Sequence, residues 1–270
     1  MIPNNFTNVA IEAAKAGAEA LEENFNNNRL AIDYKGEIDP VTAVDRRSQG
    51  LIIDVIREYF PKHSIISEET NKITIEQNSD YCWIIDPLDG TVNYIHGLSI
   101  FSVSIALQYK TEIISAVVYA PLLKGMFIAE KGAGAYLNNN RINVSANKEL
   151  IRSLIVTGFP YYIHAQHHKI AKNFVDVMLK AQGVRRLGSA ALDLAYVAAG
   201  RFDAFWEEGL SPWDVAAGSL IVKEAGGKIT DYDAKNNYIF GKHLLASNGL
   251  IHKQMLEIIN QHNAGPNPTA

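Results

Sequence analysis

Asp86 and Asp89 stand three residues apart in Trp83-Ile84-Ile85-Asp86-Pro87-Leu88-Asp89-Gly90-Thr91, where an apolar run meets two carboxylates and then a Gly-Thr step. Carboxylates offer only oxygen donors, which suit hard divalent cations such as Mg²⁺ or Mn²⁺. The free N–H groups of a helix start suit a phosphate. A short strand to Ile85, a turn stiffened by Pro87 and a helix opened by Gly90 and Thr91, with Asp89 as its cap, would hold both partners of a phosphoryl transfer. An ordinary turn has the same composition, because Asp, Pro and Gly are the common turn residues. Acids from elsewhere in the chain must decide.

Three further segments supply them. Ser64-Ile65-Ile66-Ser67 is a second apolar run that ends in paired carboxylates, Glu68 and Glu69. Ser211-Pro212-Trp213-Asp214 has the form of a helix start, with Ser at the cap, Pro at the first helical position and Asp in the first turn. The helix dipole is expected to hold that acid ionised. Asp39-Pro40-Val41-Thr42-Ala43-Val44-Asp45 leads from a turn into a helix with Asp45 at its opening, and Phe60-Pro61 stops that helix. Four separate segments thus place an acid at a strand end or a helix start.

The elements that must position these acids are legible from periodicity. Residues from Asn4 to Phe25 and from Asp45 to Tyr59 read as amphipathic helices covering a sheet. Phe101, Val103, Ile105 and Leu107 alternate with Ser102, Ser104, Ala106 and Gln108, the period of a half-buried strand. Ile113 to Tyr119, Gly125 to Ala129 and Ala133 to Leu137 continue it as an antiparallel meander. After about Leu150 the rhythm changes to alternating strand and helix signals at Ile155-Val156, Lys169 to Ala181, Ala190 to Ala199 and Ala204 to Trp206. The expectation is an α/β (α+β) chain forming one unit over 1–270. Its halves, about 1–150 and 151–270, would lack a flexible linker and carry the site in the crevice between them. The Asn26-Asn27-Asn28 and Asn138-Asn139-Asn140 runs read as turns, and Gly265-Pro266-Asn267-Pro268 as a frayed end.

Composition removes other function classes. The chain has 270 residues, 47% of them hydrophobic and 20% charged, with a net charge of -4. It carries no basic footprint for nucleic acid. Cys82 is the only cysteine, so no internal disulfide forms, and it is expected to be a buried core thiol. No targeting signal and no apolar stretch of membrane-spanning length is visible, which points to a cytoplasmic protein. The Asn-x-Ser/Thr triplets at Asn5 and Asn143 carry no meaning there.

Taken together, Glu68-Glu69, Trp83 to Thr91, Trp213-Asp214-Val215-Ala216-Ala217-Gly218 and Glu224-Ala225-Gly226-Gly227 resemble the signature segments of the inositol monophosphatase family. Lys35 with Asp39 to Asp45 resembles its N-terminal element, and Arg186 to Leu194 its substrate-loop region. The resemblance implies a layered αβαβα sandwich shared with fructose-1,6-bisphosphatase and lithium-sensitive, Mg²⁺-dependent hydrolysis of a phosphate monoester, most of all inositol monophosphate. It implies two or three Mg²⁺ per site, with Mn²⁺ as a substitute. One would lie at Glu68, Asp86 and the Leu88 carbonyl to activate water, with Thr91 orienting that water. A second would lie at Asp86, Asp89 and Asp214 to stabilise the leaving oxygen, and a third would involve Asp45 and Glu69. Gly90 and Thr91 amides would bind phosphate, while Asp89, Ala190 and Glu207 would contact the substrate. The family's habit is a homodimer.

The alternatives keep or replace that chemistry. Fructose-1,6-bisphosphatase, 3′(2′)-phosphonucleotidase and NADP(H) phosphatase activities would use the same ions with a different pocket. A non-catalytic association with transcription or RNA machinery is hinted at only by Arg185-Arg186 and Lys35. His164, His167 and His168 have zinc-compatible spacing but lie in a polar connection without further ligands in reach. No Gly-x-Ser-x-Gly elbow occurs, Ser189 has no evident base, and Gly132-x-Gly134 lacks a third glycine for a dinucleotide loop.

Overall fold

Small residues set how closely the layers approach in this computed structural model, which describes residues 4–25, 32–34, 40–70, 79–160 and 163–261. Helix α1 (Asn5–Asn24) is capped by Asn4, whose side chain accepts the Thr7 N–H, and its buried face is mostly Ala and Gly. That face lets α2 (Ala43–Tyr59) come so near that a Cβ on Gly17 would lie 2.7 Å from Ile52. Asp45 falls in the first turn of α2, two residues inside a start that lies earlier than the sequence suggested.

The two helices cover one face of a seven-stranded sheet. Its strands are β3 (Ser64–Ser67), β4 (Tyr81–Asp89), β5 (Ser102–Tyr109), β6 (Glu112–Ala120), β7 (Gly125–Glu130), β8 (Gly134–Leu137) and β9 (Asn140–Ile142), adjacent in that order. Only β3 and β4 are parallel; the rest form the expected meander. The Asn138 and Asn139 turn between β8 and β9 uses left-handed backbone at both residues, which Asn tolerates. A separate ribbon pairs β1 (Ile32–Tyr34) with β2 (Pro40–Thr42), where the sequence suggested a turn.

Strand β5 corrects one expectation. Its alternation predicted one wet face, yet Ser102, Ser104 and Ala106 are as buried as Val103, Ile105 and Leu107. Small size, rather than solvent, explains the alternation, because the small side packs under a second helical layer. That layer is α5 (Ala190–Ala198) and α6 (Pro212–Glu224), with Ser104 donating to the Trp213 carbonyl at 3.1 Å. A Cβ on Gly218 of α6 would lie 2.5 Å from Leu194, so the two helices also meet through a glycine.

Beyond this layer lies a five-stranded sheet in the order β11-β10-β12-β14-β13: β10 (Leu154–Thr157), β11 (Gly183–Arg185), β12 (Ala204–Glu208), β13 (Lys228–Thr230) and β14 (His243–Ser247). One apolar cluster joins Ile84 and Val118 of the first sheet, Leu194 and Val215 of the helices, and Phe205 and Ala246 of the second sheet. The outer face is covered by α4 (Ile163–Lys180) and α7 (His252–Asn260) around Trp206 and Met255. The stack is therefore the αβαβα sandwich that the resemblance implied. The sequence reading did not separate β9, β13, β14 or α7. Three-residue strands carry no period, and Leu244 to Ser247 is a continuous run of buried residues rather than an alternation. Cys82 is half-buried rather than buried, and burial pushes its thiol up to about 11. Among the described residues no helix is long and apolar enough to cross a membrane. The frayed end expected at Gly265 to Pro268, the Asn26 to Asn28 run, and Lys35 and Asp39 lie outside the described residues.

Candidate active site

The site starts from an irregularity in β4. Its pairing with β5 shifts register between Asp86 and Asp89, so the Asp-Pro-Leu-Asp segment is a bulged strand end rather than the expected turn. The bulge turns the Leu88 N–H back onto Asp86 Oδ1 at 3.0 Å, and Ser48 of α2 holds the Pro87 carbonyl at 3.0 Å. Gly90 follows with φ 95°, and a Cβ there would meet the Ile100 carbonyl at 2.9 Å. Only glycine fits that conformation at that distance.

The short helix α3 (Thr91–Ile95) has Gly90 as its cap and no side-chain cap, so Asp89 does not play the part the sequence suggested. Asp89 instead caps α5 across the chain. It accepts the Ala190 and Ala191 N–H groups at 3.2 and 2.8 Å and the Ser189 hydroxyl. A carboxylate at a helix N-terminus is favourable on both hydrogen-bond and dipole grounds. Asp214 is placed by its own helix: it lies in the first turn of α6, and its Oδ2 accepts the Ser211 N–H at 2.7 Å.

These devices bring Asp86, Asp89 and Asp214 together. One carboxylate oxygen from each lies within 4.8 Å of the others. Glu68, in a single helical turn after β3, faces the same cavity and hydrogen-bonds Asp86 without joining that triad. Thr91 donates to the Leu88 carbonyl at 3.0 Å, with Asp45 Oδ1 at 3.3 Å as its second acceptor. Asp45 is thereby tied to Thr91, and Glu69 to Gln49 through a 3.1 Å backbone bond; neither joins the triad.

The electrostatics follow from burial. Desolvation first, then Glu68, Asp89 and Asp214, push the Asp86 carboxyl far above its ordinary value. Asp214 is raised by burial, Glu68 and Asp89, with the Ser211 N–H opposing the shift. Burial also raises Asp89, against four hydrogen bonds that favour its charged form. Carboxyls raised by desolvation and by one another, with oxygen-only donors converging on one point, fit a hard divalent cation.

The cavity has a volume of about 470 Å³ and draws its wall from both sheets. Gly90, Thr91 and Ala190 line it beside the acids. At the far end Glu207 of β12 leans on Gly158, where a Cβ would fall 2.1 Å from its carboxylate. Burial pushes Glu207 up to about 8, with Arg186 opposing the shift and Asp89 adding to it.

Two residues of the Arg186 to Leu194 segment were given no role of their own by sequence reasoning. Arg186, which the sequence reading took up as half of the Arg185-Arg186 pair, lines this cavity. Asp193 also lines it, and its signal was available as the only charged residue in the otherwise apolar α5. The Gly132-x-Gly134 pair is structural: Glu224 accepts both N–H groups, at 2.8 and 2.9 Å. Of the three histidines, His168 is exposed on α4, the side chains of His164 and His167 lie outside the described residues, and none joins a ligand cluster among the described residues.

Comparison with known proteins agrees with this geometry. The model of the inositol monophosphatase family matches residues 3–264. The inositol-1-monophosphatase of Mesorhizobium japonicum is 38% identical over 255 residues, covering 94% of this chain and 96% of that protein. The Nus factor SuhB of Haemophilus influenzae is 44% identical over 262 residues, covering 95% and 96%. The structure of an inositol monophosphatase from Anabaena superposes with a TM-score of 0.86 at 41% identity, covering 95% of each chain.

Proposed function

The chain belongs to the inositol monophosphatase family, and from that premise we propose that it hydrolyses a phosphate monoester, inositol monophosphate above all, with Mg²⁺ at the acidic end of the cavity. The observation that carries this reading is the convergence of Asp86, Asp89 and Asp214 within 4.8 Å at the end of a cavity that also holds Thr91 and Glu207.

Glu68, Asp86, Asp89 and Asp214, with the Leu88 carbonyl, would hold the cations. Bound there, a divalent cation supplies Lewis acidity, lowering the pKa of water and neutralising charge on the phosphoryl and leaving oxygens. Thr91 and Asp45 form the chain's own proton path: the hydroxyl is held between Leu88 and Asp45, so it can accept a water's proton while passing its own to the carboxylate. Gly90 and Thr91 amides orient the phosphoryl oxygens for in-line displacement. Glu207 takes leaving-group hydroxyls. Asp45 and Glu69 would hold a third ion, Asp45 while still accepting the Thr91 hydroxyl.

A second reading comes from relatives named as Nus factors. An association with transcription machinery would use a surface apart from the cavity, and the net charge of -4 favours a protein contact over a direct nucleic-acid one. A homodimer in the cytoplasm fits either reading.

The test of the first is phosphate release from inositol 1-phosphate by purified protein with Mg²⁺, set beside fructose 1,6-bisphosphate, a 3′-phosphonucleotide and NADP. Inositol 1-phosphate is expected to give the highest kcat/KM and Li⁺ to inhibit it. A higher value for any of the others overturns the substrate assignment.

A further inference from the structure

Two acids of the cavity, Asp193 and Glu208, are not used by the reaction outlined above, and Glu208 is already paired with Lys169 at 3.0 Å. Asp193 lies in the first turn of α5, is 1% exposed and lines the cavity. Its Oδ1 has no hydrogen-bond partner among the described residues. A buried carboxyl oxygen without a partner is costly, and folded proteins keep such groups where something outside the chain satisfies them.

A structural duty does not account for it. The first-turn amides of α5 at Ala190 and Ala191 already donate to Asp89, so the helix is capped without Asp193. Arg186 acts on Asp193 and Glu207 alike, yet forms an ion pair with neither among the described residues. Asp89 and Glu207 both add negative potential at Asp193. A second phosphate placed here would therefore meet several carboxyls and a single guanidinium. Neutral hydroxyls fit better, since they donate to carboxylates and accept from Arg186.

We propose that Asp193 is a specificity-determining residue of this pocket, pairing with Glu207 to accept neighbouring hydroxyl groups of a cyclic polyol. A site whose buried acceptors are filled only by the right hydroxyls rejects leaving groups that lack them, because those acceptors then stay unpaired. This inference rests on the proposed phosphatase reading for its substrate, and its test is chosen so that the two can fail separately.

The experiment compares wild type with Asp193→Ala, Asp193→Asn, Glu207→Gln and the Asp193→Asn/Glu207→Gln pair. Each is assayed with Mg²⁺ on inositol 1-phosphate and on phenyl phosphate, which has no leaving-group hydroxyl to bind. Binding of myo-inositol to each Mg²⁺-loaded protein is measured alongside by calorimetry. Asp193→Ala is expected to lower the ratio of kcat/KM for the two esters, inositol over phenyl, by about tenfold or more, chiefly through KM for the inositol ester, and to weaken inositol binding to match. Asp193→Asn should do less, and the double variant should lose less than the product of the singles.

A ratio and an inositol affinity both within about twofold of wild type for Asp193→Ala would overturn the inference. So would equal losses on both esters, which mark a packing role. Should Asp193→Ala fail to fold, the same criteria apply to Asp193→Asn. Should wild type release phosphate from neither ester, the hydrolase reading falls, while the calorimetric comparison still decides the role of Asp193.

Discussion

At the acidic end of the cavity each member of the triad has backbone partners: the Leu88 N–H for Asp86, the Ala190 and Ala191 N–H groups for Asp89, and the Ser211 N–H for Asp214. At the far end Glu207 is set by contact with Gly158, and Asp193 has a buried oxygen with no partner. The first arrangement fixes oxygen positions, which a small, geometry-demanding cation requires. The second leaves hydrogen-bonding capacity open, which a hydroxyl-rich organic group can use. The two ends also respond differently to substitution. Loss at the acidic end should strike every substrate, whereas loss at the far end should separate one leaving group from another.

The largest effect expected is that of Asp86→Asn, which removes a charge from the centre of the triad and should lower kcat/KM by at least ~10³-fold on any ester. Steady-state phosphate release measures it, and a variant retaining most of its turnover would deny Asp86 that place. Thr91→Val leaves the acids in position but removes the hydroxyl held by Leu88 and Asp45, and should cost about 10²-fold in kcat with KM little moved.

At the other end, Gly158→Ala forces a methyl group into the Glu207 carboxylate. Displacing that group by about 1 Å should cost up to ~10²-fold on a polyol ester and much less on an aryl ester. Equal losses on the two would erase the contrast between the ends.

A smaller effect concerns stability. The Asp86 and Asp214 carboxyls sit well above the ordinary value of 3.8, so their contribution to metal-free folding is present at low pH and is lost as pH rises through their folded-state pKa values. Mg²⁺ should reverse that penalty. Its stabilisation, about 2.7 kcal/mol at a hundred times Kd, should be larger at pH 8 than at pH 5 in thermal melts. A Mg²⁺-induced shift in Tm independent of pH would break the link between the acids and the cation. His252 runs the other way: burial first, then Lys228, pull it down to about 4, so stability is lost as pH falls from 6.5 toward 4. His252→Gln should flatten that acid limb by ~2 kcal/mol without touching the Mg²⁺ response.

The contrast between the ends also explains what the sequence disclosed. The acidic end was legible because its parts are local: an apolar strand leading into Asp86, a Ser-Pro helix start before Asp214, a turn at Glu68. The sequence could not disclose which helix Asp89 caps, because Gly90 and the α5 amides compete for that role and only the layer stacking brings α5 across. It also misjudged β5, where Ser and Ala look wet by type but lie beneath α6. Asp193 fell inside the segment likened to the substrate loop but was given no role of its own, because a first-turn acid is an ordinary helix feature; only the partners already bound to Asp89 make it superfluous there.

The most direct measurement is phosphate release from inositol 1-phosphate as a function of free Mg²⁺, for wild type and Asp86→Asn on one axis. We predict that wild-type turnover is absent in EDTA, saturates with Mg²⁺ and returns after reloading, while the variant stays near background throughout. Turnover that persists in EDTA, or a variant that saturates at the wild-type rate, would contradict a site built from these acids to hold the cation.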